Sequence, residues 1–122
     1  MRLRIIPSDS TPVYKQLYDE IAGQVLSGTI SPGEALPPIR TVAKELGISI
    51  ITVRNAWDAL IEARLIEARA GSGCFVAELS SEDRERLRRS SLDPLLTAAA
   101  ETAKNLGFSE EEAVALLREK FC

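Results

Sequence analysis

The chain has 122 residues, 45% hydrophobic and 27% charged, enough for one small core with an appendage and too little for two large domains. It has no histidine and only two cysteines, Cys74 and Cys122, so neither a His-based general base nor a standard four-ligand zinc site is expected; no cofactor is implied. No apolar run approaches the ~20 residues that span a membrane, and Met1 to Pro7 lack a signal-peptide core, so a cytoplasmic chain with free thiols is expected.

The net charge is −3; residues 1–79 carry 8 Lys and Arg against 9 Asp and Glu, and residues 80–122 carry 7 against 9. Neither part is basic, so an anionic partner has to be met by a few locally placed Arg and Lys.

Residues 1–10 read as a short extended arm, with Leu3 and Ile5 alternating ahead of turn residues Pro7 to Ser10 and room for a small edge strand. Thr11 as N-cap and Pro12 at the first position predict a helix carrying Tyr14, Leu17, Ile21 and Val25, stopped at Gly28. Ile30 to Gly33 is a turn. A second helix begins near Pro38, carries Ile39, Val42, Ala43 and Leu46 on one face, and ends at Gly47 as a left-handed C-cap.

Ser49 then caps a third helix whose buried stripe is Val53, Ala56, Trp57, Leu60 and Ile61. Ile51, Arg54, Asn55 and Asp58 project from its other side. Helix, glycine, serine cap and second helix together read as a helix-turn-helix, whose second helix enters the DNA major groove. Leu65 to Arg69 and Cys74 to Ala77 flank Ala70-Gly71-Ser72-Gly73 as a hairpin, which in this place is a wing.

From Ser80 the pattern changes. Ser80-x-x-Asp83 is a capping box, and an Arg-rich turn is followed by Leu92, Leu95, Leu96, Ala99, Ala103 and Leu106, with Pro94 expected to kink or divide the helix. Ser109-x-x-Glu112 opens a last helix with Ala113, Val114, Leu116, Leu117 and Phe121. These faces cannot be buried by two helices alone. They need the winged domain or the same helices of a second subunit, and a homodimer joined through Leu92, Leu95, Leu96, Ala99, Ala103, Leu106, Val114, Leu117 and Phe121 is the preferred expectation. The fold class is mostly α with a small β-hairpin: a winged helix-turn-helix domain over residues 1–78, then a two-helix dimerisation or effector region over residues 79–122.

An ordered set of residues carries a family resemblance. Pro12-x-Tyr14-x-Gln16-Leu17, Gly28-x-Ile30-x-Pro32-Gly33-x-x-Leu36-Pro37, Arg40-x-x-Ala43-x-x-Leu46-Gly47-Ile48-Ser49, Thr52-Val53, Leu65-Ile66 and Gly71-Ser72-Gly73-x-Phe75-Val76 resemble the N-terminal domain of GntR-family transcriptional regulators. The short helical C-terminal part is similar to the YtrA-like subfamily. The resemblance implies a dimeric, sequence-specific DNA-binding regulator, usually a repressor on an inverted repeat, often controlling transporter genes. It also implies DNA contact by Arg40, by the helix start from Ser49 through Ile50 and Ile51 to Thr52, by Arg54 and by Gly71. Four positions depart from the family pattern. Ile50 stands where Arg is common, Pro38 where Ser is common, Arg64 where Gly is usual and Cys74 where Thr is usual.

Each candidate residue has a second, plainer reading. Arg40 meets a phosphate or a base edge and, with Lys44 and Arg69, positions the duplex, or these residues are solvated. Arg54 meets guanine or a phosphate and Asn55 meets adenine, or both face water. Gly71, Ser72 and Gly73 bring backbone N–H groups close to DNA, or only make the turn. Ile51, with or without Ile50, packs on thymine methyl groups, or both finish the core, the latter being preferred for Ile50. Trp57, Tyr14 and Phe75 read as packing, Cys74 as a small interior residue rather than a redox sensor, and Glu110 to Glu112 as a helix cap rather than a cation site. A small-molecule effector of unknown identity has room at a dimer interface. The rival class is a winged-helix protein-interaction module, which the acidic balance favours. An enzyme is not expected: there is no nucleotide loop and no lysine in a pocket-like context, and the chain stops short of an aminotransferase-like extension.

Overall fold

The computed structural model describes residues 3–6 and 10–122. Its elements are α1 (Val13–Ser27), α2 (Ile39–Leu46), α3 (Ile50–Glu62), β1 (Ile66–Arg69), β2 (Gly73–Val76), α4 (Ser81–Asn105) and α5 (Glu110–Glu119). The chain divides into two compact units, Met1–Arg84 and Glu85–Cys122.

The first unit is a three-helix core with a hairpin. Leu17 and Ile21 from α1, Val42 from α2, Val53, Trp57 and Leu60 from α3 and Ile66 from β1 are all buried. Burying each such side chain contributes about 1.5–3 kcal/mol before the entropy of ordering is set against it. The apolar residues recur at three- and four-residue spacing because that is the period at which a helix returns to one face. Ile61, expected in the α3 stripe, is only half-buried, because it falls at the edge of that face.

α1 starts one position later than the sequence suggests. Pro12 and Pro38 are N-caps with extended backbone (ψ 145°), and neither helix has a side-chain cap bond. The Pro12 carbonyl accepts from Lys15 and Gln16 N–H, both at 3.1 Å. Thr11 therefore stands outside α1 rather than capping it. Its carbonyl instead accepts from Gln16 Nε2 at 2.9 Å.

In the arm, residues 3–6 form no strand. Gln16 holds them instead: Ile6 N–H donates to Gln16 Oε1 at 2.7 Å and Gln16 Nε2 donates back to the Ile6 carbonyl at 2.9 Å. The turn expected at Pro7 to Asp9 lies outside the described residues.

β1 and β2 pair antiparallel, Ile66 opposite Val76 and Arg69 opposite Gly73. The segment after the Ile30–Gly33 turn is a feature the sequence did not announce. It pairs with β2: Gly33 N–H donates to the Val76 carbonyl (2.8 Å), Val76 N–H to the Glu34 carbonyl (2.8 Å) and Leu36 N–H to the Cys74 carbonyl (2.9 Å). The loop leading into α2 is thus laced to the wing.

Gly47 ends α2 in the left-handed region (φ 68°). Arg64 also lies there (φ 63°), alone among the described non-glycine residues. Its N–H reaches the Ile61 carbonyl at 2.9 Å, and Leu65 N–H reaches the Leu60 carbonyl at 3.0 Å. The close of α3 demands a left-handed residue, which explains why glycine suits the position and Arg64 is costly there.

α4 runs unbroken through Pro94, so the expected division does not occur. Residues 90–100 are all exposed, and water can take the carbonyl that proline leaves without a partner. Asp83 N–H donates to Ser80 Oγ at 3.0 Å at the head of this helix. In the second unit, α5 opens with the full capping box: Glu112 N–H to Ser109 Oγ (3.1 Å) and Ser109 N–H to Glu112 Oε1 (2.9 Å).

Candidate nucleic-acid interface

The start of α3 is held by its cap. Thr52 N–H donates to Ser49 Oγ at 3.0 Å, and the two hydroxyls lie 2.8 Å apart. Ser49, Ile51, Arg54 and Asn55 are exposed, whereas Ile50 and Thr52 are half-buried. The adjacent isoleucines therefore part company. Ile51 stands out at 66% exposure, while Ile50 turns into a crevice of about 400 Å³.

That crevice brings together three elements. Arg40 lines it from α2, Ile50, Arg54 and Trp57 from α3, and Ser72, Gly73 and Cys74 from the wing. Two exposed guanidinium groups thus share a concavity with the glycine turn. Lys44, Asn55 and Gly71 do not line it, although all three are exposed. Pro38 lines the same crevice beside Pro37.

The wing turn needs its glycines for backbone reasons. Gly71 (φ 74°) and Gly73 (φ 98°) both occupy the left-handed region, and a Cβ on either would meet open space. Ser72 N–H closes the turn on the Arg69 carbonyl at 2.9 Å. Arg69 itself lies over the Phe75 ring, 4.2 Å from the centroid, with Glu67 at 4.0 Å. Its guanidinium is engaged within the hairpin, a partnership invisible in sequence spacing because it depends on strand register.

Cys74 carries a thiol pushed above its ordinary value, first by burial and then by the nearby Asp58 carboxylate. A raised thiol is a poor nucleophile at neutral pH, which weighs against a redox-sensing role. Among the described residues no group of His, Cys, Asp and Glu could hold a metal ion. Among the described residues, no helix is long and apolar enough to cross a membrane.

The second unit exposes a continuous series of large apolar side chains. Leu92, Leu95, Leu96, Leu106, Val114, Leu117 and Phe121 are all exposed, together with Phe108 and Leu116. Ala99 is exposed and Ala103 half-buried. A groove of about 460 Å³ between α4 and α5 is lined by Leu96, Ala99, Ala103, Phe108, Val114 and Leu117, among others. Phe108 was missed by sequence periodicity because it lies outside both helices, directly after Gly107. Of the α5 residues, Glu112 has its carboxyl below the ordinary range, through the backbone and then the side-chain bond of Ser109.

Residues 13–76 match the family described as "Bacterial regulatory proteins, gntR family". A GntR family transcriptional regulator from Listeria monocytogenes superposes with a TM-score of 0.81 at 26% identity, covering 92% of this chain and 97% of that one. YtrA from Sulfolobus acidocaldarius, a GntR-family transcription factor, superposes at 0.60 with 26% identity over 98% and 96%. The repressor YtrA of Bacillus subtilis is 32% identical over 76 residues, 62% of this chain and 58% of that protein. The DNA-binding domain of AraR in complex with operator ORX1 superposes at 0.56 with 27% identity, over 63% of this chain and 99% of that domain. Other regulators are much longer: the matched region spans 14% of MocR of Rhizobium meliloti and 28% of MngR of Escherichia coli.

Proposed function

Because the chain belongs to the gntR family of bacterial regulatory proteins and is YtrA-like within it, we propose that it is a cytoplasmic repressor that binds an inverted-repeat operator as a homodimer. The observation that carries this reading is the convergence of Arg40, Arg54 and the Ser72–Gly73 turn on one crevice at the start of α3. Two arginines from different helices and a glycine turn give phosphate and base-edge donors on one side of the domain.

In this reading α3 enters the major groove by its N-terminal turn. Ser49 to Asn55 meet the bases, Arg40 and Lys44 hold the backbone, and the wing at Gly71 to Gly73 lies against the flanking strand, with Arg69 beside it. Asp58 and Glu62, further along α3, repel phosphate and keep the C-terminal half of the helix out of the groove. The apolar faces of α4 and α5 take a second copy of the chain as their partner. Two α3 helices then reach major grooves one helical turn, or a multiple of it, apart. Occupying a promoter in this way blocks transcription; transporter genes are the target class that YtrA-like kinship suggests. A small-molecule effector would sit at the dimer interface of the C-terminal helices.

Selection from a random duplex pool by the full chain tests this function. An enriched palindrome with two equal arms is expected. Failure to enrich any sequence overturns it in favour of a protein-interaction module, the reading that the net charge of −3 supports. Sedimentation of the chain and of Leu95→Glu tests the dimer, which the substitution is expected to split into monomers.

A further inference from the structure

We infer that Ile51 reads a thymine by its C5-methyl group, so that each half-site requires a methyl at one fixed position of the major groove. The inference rests on the DNA-binding function proposed above and assigns one element of its specificity.

Ile51 is the most exposed large hydrophobic residue among those described in the first unit, at 66% against 48% for Ile6 and 45% for Tyr14. A single exposed aliphatic is ordinary on a protein surface; its setting is what gives this one meaning. It occupies the second position of α3, where the helix start faces outward, and its neighbours three and four residues on are the exposed Arg54 and Asn55. Its β-branched side chain has one strongly preferred helical rotamer, so its methyl surface is already placed before any partner arrives.

The two hydroxyls beside Ile51 each have a partner within the cap: Ser49 Oγ accepts from the Thr52 N–H, and the Ser49 and Thr52 hydroxyls lie 2.8 Å apart. Ile50, the other apolar candidate, is half-buried against the crevice. Ile51 is thus left as the apolar probe at the tip of the helix. On the floor of the major groove the apolar feature presented by the base edges is the thymine methyl. Arg54 and Asn55 flank it with donors suited to guanine and adenine, so the thymine is read next to a purine contact.

The test is a methyl scan. The full chain selects its duplex from a random pool; each thymine of the enriched site is then replaced singly by deoxyuridine, which lacks only the methyl. For the natural chain, removing one particular methyl in each half-site is expected to weaken binding about fourfold, the factor for one buried methyl-sized group. Ile51→Ala is expected to bind thymine and uracil duplexes equally, and Ile51→Val to retain most of the difference. A flat scan for the natural chain, or a full methyl effect in Ile51→Ala, overturns the inference while leaving DNA binding intact. Failure to enrich any duplex removes the DNA-binding function, and this inference with it.

Discussion

Gln16 and Ile6 clasp each other: the side-chain amide of Gln16 accepts from the Ile6 N–H at 2.7 Å and donates to its carbonyl at 2.9 Å. A glutamine on α1 thereby does for the arm what a strand partner does in a sheet. Replacing Gln16 by Leu is expected to abolish hydrogen-exchange protection of the Ile6 amide. Global stability should fall by only about 1 kcal/mol, since both bonds are at the surface. Exchange measured by NMR checks the first expectation and chemical denaturation the second. Undiminished protection at Ile6 would show that the clasp does not hold the arm.

The left-handed Arg64 should be improvable. Arg64→Gly is expected to raise stability by about 1 kcal/mol, the cost of an L side chain at positive φ less the added freedom of glycine in the unfolded chain. Arg64→Val, branched at Cβ, should lower it. Urea melts of the three proteins give the order directly; a glycine variant less stable than the natural chain contradicts this account of the α3 terminus.

The cap of α3 makes a separable prediction. Ser49→Ala removes the acceptor of the Thr52 N–H and should cost about 1 kcal/mol. Ser49→Asp should recover most of that stability, but its negative charge should weaken DNA binding. Thermal melts and gel retardation together distinguish the two effects.

Arg40 and Arg54 share one crevice, and if both meet phosphate their loss should show in salt dependence. Each substitution to Ala is expected to reduce the slope of log affinity against log salt by about 0.9 per monomer. If Arg54 instead reads guanine, Arg54→Ala leaves the slope nearly unchanged and relaxes preference at one base pair. Titrations over a range of salt decide between these roles.

The thiol of Cys74 and the carboxyl of Glu112 act at opposite ends of the pH scale. Cys74 is raised above its ordinary 9.0 by burial and Asp58, so its folded form holds its proton longer than the unfolded chain does. The stability it contributes is complete below pH 9 and is lost as pH rises through the folded value. Glu112 is lowered from 4.5 by the Ser109 bonds; its contribution is present above that pH and is lost as pH falls through the folded value. Alkylation by iodoacetamide at pH 8, read by mass spectrometry, should modify the exposed Cys122 well before Cys74. Equal rates would refute the shielding of Cys74.

Much of the first unit was legible because its signals are local. Val53, Trp57 and Leu60 repeat at the helical period, Gly47 and Ser49 punctuate the turn, and two glycines mark the wing. Signals that depend on distant strands were silent. The pairing of Gly33, Glu34 and Leu36 with β2 leaves no periodic trace, and neither does the seat of Arg69 on Phe75. The sequence named Ile50 and Ile51 as a pair and preferred the core for Ile50, but burial was needed to separate them. In the second unit, periodicity found most of the apolar face and stopped at Phe108, which no helix contains. Pro94 does not divide α4; the residues around it are exposed, so the carbonyl it leaves without a helical partner can be solvated.

The lacing of the α2 approach to β2 ties the wing and the start of α2 together as one caliper. Three backbone bonds fix the loop before Arg40 to the strand after Gly73, so in the proposed DNA-binding function the distance between a backbone contact at Arg40 and one at the wing tip is set within the chain. A duplex whose grooves differ from that span must itself deform, and the energy of doing so depends on the sequence deformed. Base steps that no side chain touches would then be selected by stiffness alone.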